Sequence, residues 1–229
     1  MISFDSFEEF SDFGFHGEVF LEPRGLCHFC FLFKINKNDI VVDIGACVGA
    51  FTYKILSKNP KQIYCLEPDS RFIPTLKNNV EKYPNVTIIP KGISNKDGKS
   101  LVSGLYNPDN IFIHNNVSEI DSIKFNTFVN QNNIKQIDFL KVDCEGGEYD
   151  IFTIDNLVWI KQNVKKIVGE WHLETPLQKQ QFREFRDVFL RIFNKFEIYS
   201  IDGTNIKWDL WNEHFIEYYN QIIIYIDNR

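Results

Sequence analysis

The stretch Val41-Val42-Asp43-Ile44-Gly45-Ala46-Cys47-Val48-Gly49-Ala50-Phe51 decides the fold. It reads as an apolar strand, a glycine turn and the start of a helix. Gly45 carries no Cβ, so the chain turns tightly there and leaves room for a ligand. Gly49 falls at the helix start, where backbone N–H groups lack partners within the helix. A turn of this kind, at the carboxyl end of a first strand, is where open α/β sheets bind ligands.

Outward from this unit, apolar runs alternate with helical patterns, the mark of a parallel sheet with crossover helices. Strands are expected at Ile40–Ile44, Gln62–Leu66, Val86–Ile89, Ile137–Val142 and Lys166–Glu170, then at Lys195–Ile201 and Gln221–Ile226. Each is short, apolar and bounded by polar or turn residues, as buried parallel strands are. Phe72, Leu76, Val80 and Tyr83 recur at helical spacing, and Phe182, Phe185, Phe189 and Ile192 mark a later amphipathic helix. The expectation is one α/β domain over residues 1–229, with a doubly wound, seven-stranded sheet.

Composition agrees with such a core. The chain has 229 residues, 44% of them hydrophobic, and a net charge of −6. No basic block stands out, so nucleic acid is not expected as a partner. The five cysteines are odd in number and lie partly within strand-like runs, which points to a reducing compartment. The start MISFDSFEEF has no basic region ahead of an apolar run, and the stretch Leu26–Phe33 is too short to span a bilayer. A cytoplasmic location without a membrane span is therefore expected.

The ligand follows from spacing and charge. A dinucleotide loop wants G-x-G-x-x-G and a P-loop wants G-x-x-x-x-G-K-[ST]. This chain has D-x-G-x-x-x-G instead, with Asp43 at the strand end. A carboxylate there repels a pyrophosphate but suits S-adenosylmethionine, which has no phosphate and bears an ammonium and a sulfonium. Leu66-Glu67-Pro68-Asp69 ends the next strand, where an acid can accept both ribose hydroxyls. Each feature also has a plainer reading: the loop as an ordinary strand-to-helix turn, Glu67 as a helix-capping acid. Two rivals are a nicotinamide-dependent oxidoreductase, which the glycine spacing disfavours, and a non-catalytic binding protein.

A third segment, Ile137-Asp138-Phe139-Leu140-Lys141-Val142-Asp143-Cys144-Glu145-Gly146-Gly147-Glu148, resembles the D-x-L-K-x-D-x-E-G-x-E signature of the FkbM-type methyltransferases. The order of the other segments fits that family too, with Gly92-Ile93-Ser94-Asn95-Lys96-Asp97-Gly98 and then Asn126-Thr127-Phe128 ahead of the signature. The resemblance runs from about Ile40 to His172. It implies a Rossmann-like class I methyltransferase fold with the last strand antiparallel. It also implies methyl transfer to a hydroxyl on a sugar, glycan or secondary metabolite. The cofactor would lie against Asp43, Gly45, Ala46, Gly49, Glu67, Pro68, Gly92, Ile93 and Asp143. The family commonly has Asn where this chain has Cys47, which removes one side-chain contact.

Methyl transfer to a hydroxyl needs positioning and a base within reach of the oxygen. Asp143, Glu145 and Glu148 crowd the end of the fourth strand, and Glu170-Trp171-His172 ends the fifth. The candidate catalytic residues are His172, Asp143, Glu145 and Glu170. An unperturbed histidine titrates near neutrality, while clustered carboxylates raise one another's pKa. Glu145 and Glu148 also suit the first turn of a helix. Asp143, Glu145 and Glu170 are hard oxygen ligands of the type that hold magnesium or calcium, although no pattern in the sequence requires a metal.

Three features stay outside this reading. Phe4, Phe7, Phe10 and Phe13 repeat among acids, as a short helix on the core, a lining of the substrate entrance or a contact with a second subunit would. Cys27-His28-Phe29-Cys30 lacks the second pair a structural zinc site needs. The segment holding Trp208, Trp211 and His214 matches no motif.

Overall fold

In the computed structural model, residues 32–103 and 117–229 are described. The Phe-rich start and the Cys27–Cys30 pair lie outside them. The first strand, β1 (Ile40–Ile44), is buried nearly throughout. It pairs in parallel with β2 (Gln62–Leu66), which pairs with β3 (Val86–Ile89). Those three strands have the bounds the sequence predicts.

Between Gly92 and Ile123 the chain builds a small second sheet that apolar runs do not signal. It contains β4 (Gly92–Ile93), β5 (Gly98–Ser103) and β6 (Val117–Ile123), in the order β4-β6-β5. The strands mix polar and apolar residues: Ile93 and Ile123 join the main core, while serine hydroxyls link the strands side by side. Ser100 Oγ lies 2.9 Å from Ser94 Oγ and 2.8 Å from Ser122 Oγ, a buried hydroxyl chain across the sheet.

The main sheet resumes with β7 (Phe139–Val142) and β8 (Lys166–His172), then β9 (Phe196–Ser200) and β10 (Gln221–Asp227). Its order is β3-β2-β1-β7-β8-β10-β9. The last strand, β10, runs antiparallel to both of its neighbours, between β8 and the edge strand β9. β7 is shorter than expected because Ile137 makes only an isolated bridge, to Val164. β8 is longer, and carries His172 as its final residue.

Both faces are covered, and strand alternation assigns the residues. Val42, Leu140 and Ile167 face one layer, with α3 (Phe125–Gln131), α5 (Ile154–Asn163), α6 (Pro176–Glu184) and α7 (Glu213–Tyr218). Val41, Phe139 and Val168 face the other, with α1 (Ala50–Ile55) and α2 (Ile73–Val80). A short α4 (Glu148–Ile151) follows β7. Beyond α6, Phe185–Phe189 continue as a π-turn, and Phe182, Phe185 and Phe189 are all buried. Strand order reverses where β1 meets β7, and in open sheets the crevice at the carboxyl ends of such a pair receives ligands. Among the described residues no helix is long and apolar enough to cross a membrane.

Candidate active site

At that crevice a cavity of about 390 Å³ opens, within the usual range of small-molecule sites. Its walls come from the glycine turn after β1, the end of β2, the small sheet, the β7–α4 loop and the first turns of α6. Of the expected cofactor residues, Gly45, Glu67, Pro68, Gly92, Ile93 and Asp143 line it. Asp43, Ala46 and Gly49 do not; they build the wall from behind.

Asp43 has no solvent exposure. Its Oδ2 accepts the Thr52 hydroxyl at 2.8 Å and its Oδ1 lies 3.3 Å from the Lys141 ammonium. Lys141, equally buried, also donates to the Gly45 carbonyl at 2.7 Å. One buried ion pair thus clamps the end of β1 to β7 and fixes the turn carbonyl. Gly45 has φ +77°, and a Cβ there would stand 1.6 Å from the Asp143 carbonyl oxygen. Its missing side chain therefore serves strand–strand approach as much as ligand access. Gly49 caps α1 at φ 86°, packed against Leu76 and Val80.

Cys47 lines the cavity in the left-handed region, at φ 49°. Asparagine tolerates that region well, so the residue type the family commonly carries fits the backbone. The Cys47 N–H donates to Glu67 Oε2 at 2.8 Å, and the Asp69 N–H donates to Oε1 at 2.7 Å. Burial pushes the Glu67 carboxyl up to about 7 despite these two bonds. It lines the cavity and is locked to the backbone of the turn after β1 and of the loop after β2.

The four candidate catalytic residues split by position. Asp143 and Glu145 line the cavity, whereas Glu170 and His172 stand behind them. His172 is 1% exposed. Its Nε2 is 3.2 Å from Glu145 Oε2 and 3.9 Å from Glu170 Oε1, and its Nδ1 is 3.0 Å from Glu148 Oε1. Burial works against the imidazolium, yet Glu148 and Glu145 outweigh it and hold His172 well above its ordinary value. Burial, with the Asp143 charge adding to it, pushes Glu170 to about 8. Burial also raises Glu145, against the lowering pull of His172.

Of the expected oxygen-ligand trio, Glu170 is displaced by His172: Asp143, Glu145 and His172 each bring one ligand atom within 4.8 Å of the others. Sequence reasoning missed another stretch of the cavity wall, where Asp150, Asn95, Thr175, Gln178 and Gln181 stand. Only Gln178 had a local signal, since it completes a capping box with Thr175 at the start of α6. Trp208 and Trp211 lie apart from the cavity lining, with Arg191 4.5 Å over the Trp211 ring.

The model of the methyltransferase FkbM domain matches residues 43–196. Ribosomal RNA small subunit methyltransferase A of a Sulfurihydrogenibium species is 31% identical over 113 residues, covering 45% of this chain and 44% of that protein. Its counterpart in Clostridium botulinum is 36% identical over 81 residues, covering 31% of this chain and 29% of that protein. The chain therefore spans less than half the length of these curated relatives. Among solved structures, a Streptococcus mutans protein in complex with SAH is similar in fold, with a TM-score of 0.50 at 11% identity, covering 84% of this chain and 90% of that one. The ribosomal RNA relatives overturn the expectation of a small-molecule or glycan acceptor with nucleic acid excluded. The net charge of the whole chain says little about what one edge of its sheet receives, because recognition depends on local groups.

Proposed function

We propose that this chain, which belongs to the FkbM family of S-adenosylmethionine-dependent methyltransferases, methylates a hydroxyl oxygen with Glu145 as the base and Asp143 beside it. One observation carries the reading: of the four candidate bases, only these two carboxylates reach the cavity.

The residues present suit the cofactor. Carboxylates of Glu67, Asp69, Asp143, Glu145 and Asp150 line the cavity, and among the described residues no lysine or arginine does. That lining repels phosphate and welcomes a ligand bearing an ammonium and a sulfonium. Gly45, Glu67, Pro68, Gly92 and Ile93 form the wall that would hold it, with Glu67 placed to accept ribose hydroxyls. When bound, S-adenosylmethionine supplies an electrophilic methyl group on a positively charged sulfur.

The chain's own part is positioning and proton removal. A hydroxyl entering between Asp143 and Glu145 meets two acceptors, and a carboxylate with a burial-raised pKa is a better base than one in water. Glu145 takes the hydroxyl proton as the oxygen gains the methyl group, then passes the proton to solvent. His172, its Nε2 turned to Glu145, steadies that carboxylate instead of meeting the acceptor.

A second reading, methylation of RNA, rests on the names of the curated relatives. With no lysine or arginine among the described lining residues, the phosphates of such an acceptor would lie outside the cavity. The test is transfer from tritiated S-adenosylmethionine into a mixture of methyl glycosides, polyols and transcribed RNA, followed by digestion to locate the label. Label on a hydroxyl oxygen, lost in Glu145→Gln, supports the first reading. Label on a base nitrogen of RNA alone replaces it with the second.

A further inference from the structure

We infer that Glu148 is a positioning residue: it fixes His172 against Glu145 and so sets where the cavity-facing carboxylate stands. This rests on the assignment of Glu145 as base.

Glu148 has no solvent exposure and opens α4, directly after the loop that carries Glu145. Its two oxygens do different work. Oε1 accepts the His172 backbone N–H at 2.7 Å and lies 3.0 Å from the His172 ring Nδ1. Oε2 accepts the Gly146 N–H at 2.8 Å. One carboxylate thereby ties the end of β8 to the β7–α4 loop. The Tyr149 hydroxyl donates to the His172 carbonyl at 2.7 Å, so the residue beside Glu148 fastens the same strand end.

The loop needs such a fastening. Glu145 sits at φ 56° and Gly146 at φ 101°. A non-glycine residue in the left-handed region persists where its surroundings over-determine it. The bond from the Gly146 N–H to Glu148 closes the turn from below, and His172 Nε2, 3.2 Å from Glu145 Oε2, holds it from the side. Both holds trace back to Glu148. With a carboxylate facing each ring nitrogen, His172 carries its charge between two acids, and a flip of the ring would give up both of its contacts to them. A burial this complete is costly for a carboxylate unless its acceptor sites are filled, and here three N–H donors fill them.

The group acts through Glu145, which a double-mutant cycle detects. Turnover of tritiated S-adenosylmethionine is measured in the acceptor mixture above, and cofactor affinity is read from the melting shift with S-adenosylhomocysteine. Glu145→Gln should lower turnover by about 10²–10⁴. Glu148→Gln should lower it at least about tenfold with cofactor affinity held within about twofold, because the cofactor wall is untouched. Adding Glu148→Gln to Glu145→Gln should then change turnover by less than about twofold. Should Glu148→Gln fail to fold, His172→Gln, which breaks the same link one step later, is read in the same cycle with the same expectation. Full additivity in the cycle would overturn the inference while leaving Glu145 as base. Wild-type turnover in Glu145→Gln alone would remove the base assignment, and the positioning role with it.

Discussion

The Lys141 ammonium lies 3.3 Å from the Asp43 carboxylate, and neither side chain has any exposure to solvent. The two residues are direct partners in the parallel register of β1 and β7. Breaking a buried pair leaves an uncompensated charge, at a cost of about 3–5 kcal/mol. Asp43→Asn should therefore destabilise the chain by that amount in urea unfolding, and should weaken cofactor binding only through the loosened turn. A variant with full stability and no cofactor binding would instead make Asp43 a direct ligand.

Gly45 carries a sharper steric demand. A Cβ built there meets the Asp143 carbonyl oxygen at 1.6 Å, while one on Gly203 meets nothing within 4 Å, although both glycines have positive φ. Gly45→Ala should cost about 3 kcal/mol or more, since backbone must move. Gly203→Ala should cost only about 1–2 kcal/mol of backbone strain. Thermal melting of the two variants checks this, and equal shifts would mean that the turn after β1 yields easily.

Glu67 gives a pH signature. Burial raises its folded pKa from the ordinary 4.5 to about 7. A raised carboxyl contributes stability that is fully present below the unfolded value and is lost as pH rises through the folded one. Without ligand, stability should thus fall between pH 4.5 and about 7. Cofactor affinity should rise over the upper part of that range, because the ionised form is the stronger acceptor for ribose hydroxyls. In Glu67→Gln both trends should flatten, and affinity should drop roughly tenfold. Calorimetric titration with S-adenosylhomocysteine at several pH values reads the binding half. Affinity independent of pH and of the substitution would place the ribose elsewhere.

Much of this architecture was legible in the residues. The bounds of β1, β2 and β3 follow from short apolar runs between turn residues, and the antiparallel β10 from the family signature. What escaped did so for physical reasons. A parallel strand is covered on both faces, so the sequence does not say which layer Asp43 meets; register with Lys141 decides it. β5 and β6 hold no apolar run, and their sheet depends on pairing across residues that the chain order keeps apart. His172 was legible as a strand-end residue, but not as one shut behind Glu145, since that depends on where Glu148 points.

The acids around His172 differ in charge. Glu170 does not reach the cavity, and burial with the Asp143 charge nearby holds it at about 8. At pH 7 it is thus mostly the neutral acid, and an amide of the same shape replaces it with little change in charge. Glu170→Gln should keep turnover within about threefold of wild type, where loss of a general base costs about 10²–10⁴. Stability supplies an independent reading. The folded pKa of Glu170 is raised, so its contribution is lost as pH climbs from the ordinary 4.5 through about 8. Ionisation there sets another negative charge beside Asp143, Glu145 and Glu148. The wild-type melting temperature should therefore fall between pH 4.5 and about 8 and level off above that, and Glu170→Gln should remove part of that fall. A Glu170→Gln enzyme as slow as Glu145→Gln, with an unchanged melting profile, would move the base from the β7 loop to the end of β8.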